Sequence, residues 1–270
     1  SVAFSALGGL YTTKNMTVVT GATATTAGQI IGPWATIGTT AVLQTDYAVY
    51  NGSAQVTTAN ISSVANDTTF TTTWAAGSNY NISVSYSASG TTFNINTLRY
   101  SGAANGTITM TSGQTLGTFG ILAGNAAITL TVGNTAGTGT VTLPTTSAGN
   151  LYVTNGASGG ITINANITDN TGALTLVKNG SAGTLTLAGT NTYTGGTIIN
   201  GGTVSVAASS GLGASSGGIT FNGSGTLTTA PSSAGSFAFS GSSLVYSAVP
   251  EPSNAVAGLL LTALLLRRRR

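Results

Sequence analysis

Residues 174–213 read LTLVKNGSAGTLTLAGTNTYTGGTIINGGTVSVAASSGLG. Within them Leu185 and Leu187 alternate with Thr184 and Thr186, and Val204 alternates with Thr203 and Ser205. In an extended chain that places aliphatic side chains on one side and small hydroxyls on the other. Asn179-Gly180 and Gly183 lead into the first run, and Asn200-Gly201-Gly202 into the second. Glycine and asparagine tolerate the positive φ of tight turns, so the local grammar is turn, strand, turn, strand.

Working outward, the same unit recurs as Gly106-Thr107-Ile108-Thr109-Met110, Gly139-Thr140-Val141-Thr142-Leu143 and Gly225-Thr226-Leu227-Thr228-Thr229. Two relatives are Gly160-Ile161-Thr162-Ile163 and Gly218-Ile219-Thr220-Phe221. From Gly139 the steps to Gly160, Gly183 and Gly202 are 21, 23 and 19 residues. A period of about 20 is too long for a hairpin and suits one turn of a stacked repeat, in which each coil covers the open edge of the one before. The expected fold is all-β: a parallel, right-handed β-helix or β-solenoid, with a short transmembrane-type helix at the C-terminus. Its parts are an N-terminal β-rich region with cap and first coils over 1–105, solenoid repeats over 106–229, a cap or linker over 230–248, and a distinct tail over 249–270.

The segment resembles the autotransporter-associated β-strand repeat of bacterial passenger domains and large exported surface proteins. The likeness is carried by Gly183, Thr184, Leu185, Leu187, Gly189, Asn191, Tyr193, Gly195, Gly196, Thr197, Gly201, Gly202 and Thr203. The resemblance implies a parallel β-helix and no particular reaction.

Composition is unusual for a compact enzyme and allows one elongated domain. Of 270 residues, 39 are Gly and only 4% are charged, against about a quarter charged in an ordinary globular domain. The apolar share of 41% is too high for a disordered chain. The net charge of +3 is misleading, because Lys14, Arg99 and Lys178 balance Asp46, Asp67 and Asp169, and the excess lies in Arg267, Arg268, Arg269 and Arg270 beside Glu251. The body carries no basic footprint, so no nucleic-acid partner is expected.

Upstream, Trp34, Tyr47 and Tyr50 fall close together and read as a hydrophobic plug for the solenoid's N-terminal region, with an aromatic sugar platform as the alternative. Thr68 to Trp74 and Tyr80 to Tyr86 alternate as strands, and the isolated Asp46 and Asp67 read as turn residues bonded to their own backbone. From 106 to 229 apolar positions return about every ten residues, at Ile108, Ile121, Leu130, Val141, Val153, Ile163 and Leu176. Asn179, Asn200 and Asn222 sit at similar points of successive turns, placed either to stack as an amide ladder or simply to start Asn-Gly turns.

The tail, VPEPSNAVAGLLLTALLLRRRR, breaks with all of this. Val249, Pro250, Glu251, Pro252 and Ser253 precede an apolar stretch ending at Leu266, and Arg267–Arg270 follow. Apolar helix and cationic stop together describe a membrane-held segment with its arginines on the cytoplasmic side. Thirteen helical residues from Asn254 span about 20 Å, less than the hydrocarbon core. This segment resembles the PEP-CTERM sorting signal. That resemblance implies an exosortase as partner at the C-terminus, transient contact with the inner membrane through 254–270, and export to the envelope, surface or matrix.

Catalysis has little to work with. The chain has no His and no Cys, which removes Ser-His and Cys-His nucleophiles and His/Cys zinc sites. The acids at 46, 67 and 169 supply no pair for a polysaccharide-cleaving β-helix. No catalytic residue, cofactor or metal is expected. The leading function is a non-enzymatic, adhesin-like surface or matrix scaffold, with exopolysaccharide or another surface glycan as candidate partner. The alternative is a binding solenoid in which Thr-x-Thr pairs at 107/109, 140/142, 184/186 and 226/228 match a glycan or ice. A binder's hydroxyls should stack in register on one flat face; a spacer's should scatter.

Overall fold

A computed structural model describes residues 2–5, 30–38, 44–50, 56–57, 64–66, 74, 76–88, 90–124, 127–156, 158–207, 209–222, 225–229, 235–240 and 243–248. Among them the chain is all-β, with strands stacked in parallel sheets and one short 3-10 turn at Ser209–Leu212. No helix among the described residues is long and apolar enough to cross a membrane. The expected tail helix over 249–270 lies outside them.

The chain winds through three sheets in turn. Asn79–Ile82, Tyr86–Ser87 and Thr92–Asn94 make the first coil; Thr97–Tyr100, Gly106–Thr109 and Thr115–Gly117 the second; Gly120–Ala123, Thr129–Val132 and Thr140–Thr142 the third. Gly149–Asn155, Gly160–Ile163 and Asn166–Ile167 make the fourth. Leu174–Asn179 with Thr184–Leu187, Thr197–Ile199 with Thr203–Val206, and Ile219–Phe221 with Thr226–Thr229 supply the next three. Every first strand pairs in parallel with the first strand of the next coil, forming the long sheet; second strands form a seven-stranded sheet and third strands a four-stranded one.

Register turns the alternation into columns. On the seven-stranded sheet Tyr86, Ile108, Val132, Ile163, Leu187 and Val206 stand one above another, and so do Leu130, Ile161, Leu185 and Val204. All of these are buried. The four-stranded sheet adds Phe93, Leu116, Val141 and Ile167, and the long sheet Leu98, Ile121 and Val153. These columns merge into one core running the length of the coils, and burial of their apolar surface, at roughly 25 cal/mol per Å², is what rewards stacking.

The spacing differs from the sequence reading in an instructive way. The Gly139 unit belongs to the four-stranded sheet and the Gly218 unit to the long sheet, so neither repeats the Gly160, Gly183 and Gly202 units. The true third-coil member is Thr129-Leu130-Thr131-Val132. Along the seven-stranded sheet the steps from Ile108 to Val132, Ile163, Leu187 and Val206 are 24, 31, 24 and 19 residues. The ten-residue recurrence of apolar positions is the advance from one sheet to the next within a coil.

The aromatic plug is also relocated. Trp74 stacks on Tyr80 and Tyr86, with ring centroids 5.3 and 4.7 Å apart, and meets Phe93 edge-on at 5.7 Å. These four rings close the first coil from inside. Tyr80 to Tyr86 is not one strand, as alternation suggests, but two, with a corner at Ser83-Val84-Ser85 that leaves Val84 exposed. Tyr47 is buried elsewhere, on the outer side of the long sheet, with its hydroxyl 3.2 Å from the Leu98 carbonyl that accepts its hydrogen bond. At the opposite end Gly235–Ser240 and Ser243–Ala248 form an antiparallel hairpin, and Leu244 pairs with Ile219. That hairpin ends the parallel ladder of the long sheet.

Candidate functional site

Two features of the coils could carry function: the corner built by the repeat motif, and the hydroxyl-bearing outer face of the seven-stranded sheet. At the corner the fifth coil has no third ladder strand among the described residues. The Asn191 side chain stands in for it. Its Oδ1 accepts the Ile167 N–H at 2.7 Å from the coil below, and its Nδ2 donates to the Gly211 carbonyl at 2.7 Å in the coil above. A buried amide with donor and acceptor on opposite edges bridges two backbones that would otherwise leave polar groups unpaired.

Tyr193 fills the space beneath. Its ring is fully buried and its hydroxyl lies 2.7 Å from the Thr197 hydroxyl. Gly195 and Gly196 make the return possible, since a Cβ at Gly195 would press on the Leu174 carbonyl at 2.5 Å and Gly196 has φ +82°. Gly202, at φ +68°, turns the chain into the next strand. Thr184 opens the strand with its side chain outward, just before the buried Leu185, and Gly183, Gly189 and Gly201 sit at the bends between strands.

Two further contacts tie neighbouring coils here. Asn200 donates from Nδ2 to Asn179 Oδ1 at 2.7 Å, and Asn222 to Asn200 Oδ1 at 3.0 Å; the amide ladder exists. Asp169 Oδ1 accepts the N–H of Leu174 at 2.7 Å and of Thr194 at 3.1 Å, while its Oδ2 accepts the Thr194 hydroxyl at 2.7 Å. Burial is the largest single influence on this carboxyl and pushes it up, but the three donors together outweigh it and hold its pKa below the usual range.

Lys178 carries no motif that marks it in the sequence. It shares the parity of Leu174 and Leu176, and the structure turns it inward, in register with Val153 and Ile199. The side chain is fully buried, and its ammonium donates to the carbonyls of Asn179 at 2.7 Å, Gly201 at 3.3 Å and Gly180 at 3.4 Å. Among the described residues no acid pairs with it in this cage, and burial lowers its pKa to about 8. Parity alone would have found it.

The outer face of the seven-stranded sheet is almost purely hydroxyl. Thr107, Thr131, Thr162, Thr186, Ser205 and Thr228 form one column in register. Thr129, Gly160, Thr184, Thr203 and Thr226 form a second. Parallel strands repeat about every 4.8 Å, so the columns make a regular grid. The pair at 140/142 is not on it: it lies on the four-stranded sheet, where Thr142 is buried and donates to the Thr168 carbonyl at 2.9 Å. Among the described residues no cluster of three or more His, Cys, Asp or Glu could hold a metal ion. Val249, Pro250, Glu251, Pro252, Ser253 and Arg267–Arg270 lie outside the described residues, as does Asp67.

Corner, columns and grid define a class: a repeat solenoid whose inward residues are structural and whose outward residues are free to differ. Comparison narrows this. Residues 176–206, the segment holding the corner, match the family model Passenger-associated-transport-repeat. The chain is also 35% identical over 177 residues to the "Adhesin BmaC autotransporter" of Brucella suis biovar 1 (strain 1330), a match covering 62% of this chain and 5% of that protein. No solved structure matches.

Proposed function

We propose that this chain is a non-enzymatic, adhesin-like module of the bacterial cell surface or extracellular matrix, wound as a right-handed solenoid. The observation that carries the proposal is the coincidence of the passenger-repeat match over 176–206 with the Asn191–Tyr193–Thr197 corner that joins coils. Similarity to an adhesin supports the surface role. The right-handed sense follows from the twist preference of parallel strands joined by crossovers. Tail residues 249–270 act in this proposal as an export label: exosortase removes the segment near Pro250 to Pro252 after the apolar stretch has paused in the inner membrane.

The test is expression of the epitope-tagged chain in hosts with and without exosortase, followed by fractionation and C-terminal mass spectrometry. Surface protein ending near residue 250 only in the exosortase host supports the proposal. A full-length tail on surface protein, indifferent to exosortase, overturns the sorting step, and confinement to the cytoplasm in both hosts overturns the surface role.

One observation favours a second reading, that the module binds an ordered polymer such as an exopolysaccharide, or ice. Six hydroxyl residues stack in register on one face, which is what a binder requires and a spacer does not. Replacing Thr131, Thr162 and Thr186 together by Lys should abolish polysaccharide retention or ice shaping while leaving the coils folded. Undiminished binding by the triple variant would refute it.

A further inference from the structure

The outer flank of the long sheet is not bare. Strand Gln44–Tyr47, itself paired antiparallel with Ala35–Gly38, lies across coils two to four. Three glycines make room for it. A Cβ at Gly124 would overlap the Thr45 carbonyl, one at Gly156 would overlap the Gln44 carbonyl, and one at Gly120 would come within 2.9 Å of the Tyr47 hydroxyl. Beneath the strand Leu122 and Thr154, both outward-facing on a solenoid flank, are 0% and 1% exposed. Tyr47 and Ile30 pack on Leu122. The flank therefore holds a trough shaped for an extended segment.

One charge pair crosses the trough: Asp46 Oδ2 lies 2.9 Å from an Arg99 guanidinium nitrogen, with the two side chains 13% and 22% exposed. We propose that residues 44–50 are a releasable strap, anchored by Tyr47 in the glycine-lined trough and triggered by ionisation of Asp46, so that it is held in acid and lifts off toward neutral pH. Lifting it uncovers Leu122 and Thr154, an apolar and hydroxyl patch.

The direction follows from the balance at Asp46. Taking a carboxylate out of water costs more than one ion pair and the Tyr47 N–H return, and burial raises the Asp46 pKa from 3.8 to about 6 despite Arg99. A group whose docked pKa is raised favours docking fully below its free value, and that contribution is lost as pH climbs through the docked value. The window is therefore about pH 4 to 6. Among the described residues the groups facing Asp46 are Arg99 from the coil and the Tyr47 phenol on its own strand; Ala35–Gly38 and Gly120–Ala123 carry no ionisable side chain.

Hydrogen exchange of the full chain, corrected for intrinsic rates, tests this by following peptides that cover 44–50 and 120–124. In the parent, opening should rise at least about tenfold between pH 4.5 and 7.5. Asp46→Asn should abolish the step and keep the strap protected throughout. Arg99→Gln should move the step to higher pH, because the carboxylate loses its attraction, and this shift separates a trigger from a merely structural contact. Gly124→Val should leave the strap open at both pH values with the peptides of the other coils unchanged. A flat profile in the parent, a persistent step in Asp46→Asn, an unmoved step in Arg99→Gln, or full strap protection in Gly124→Val would each overturn the proposal.

Discussion

The two flanks of the same winding differ sharply. Both the long sheet and the seven-stranded sheet direct aliphatic columns inward, yet outside one carries Arg99, Leu122 and Thr154 under a strap, while the other carries Thr and Ser almost throughout, broken by Gly160. Coil formation is indifferent to this contrast, because stacking needs only the inward residues and the turns. Outward positions are thus the variable surface on which a common rod acquires different contacts. An apolar outward residue such as Leu122 gains free energy from being covered, and a hydroxyl such as Thr162 gains little.

That division can be broken most severely from inside. Leu185→Asp places a carboxylate in a fully buried column and should cost more than about 4 kcal/mol, read as loss of the β-sheet circular dichroism signal or of cooperative thermal melting at ambient temperature. Thr186→Asp, one residue away and outward, should shift stability by less than about 1 kcal/mol; equal damage from both would erase the distinction between faces. Next, Tyr193→Ala should lose about 3–5 kcal/mol by leaving a void, whereas Tyr193→Phe, which only unpairs Thr197, should lose about 1. Urea midpoints of the two variants check this.

A subtler probe is Lys178, whose folded pKa of about 8 lies below the ordinary lysine value of 10.5. The unfolded chain therefore binds more protons between these values, and stability should rise as pH climbs from about 8 to 10. Lys178→Met should flatten that slope in denaturant titrations at several pH values. Smallest of all, Asn200→Ala cuts the amide ladder at its middle rung and should cost about 1 kcal/mol, visible as a modest fall in melting temperature.

Inward parity was legible wherever residues alternate. Leu185, Leu187 and Val204 announce their side of the strand, and Asn179, Asn200 and Asn222 their shared corner. The order of faces was harder to read, because a glycine-led strand looks alike whether the chain is advancing to the next sheet or returning to the same one. Hence Gly139 looks like Gly160 in sequence, although one pairs at the four-stranded sheet and the other's strand at the seven-stranded sheet. Trp74 and Phe93 meet only after the first coil closes, and nothing local marks them as partners of Tyr80 and Tyr86. The strap left no local trace: Gly120, Gly124 and Gly156 are three among 39 glycines until Gln44–Tyr47 is laid against them.

The ladder bonds between coils run along the rod, so tension applied between its ends would load them one after another. Each rupture would free a loop the length of one step, 19 to 31 residues, or roughly 65 to 110 Å of slack at about 3.5 Å per residue. A tether built this way yields by paying out chain in instalments, and so would keep hold under shear that snaps a stiffer link.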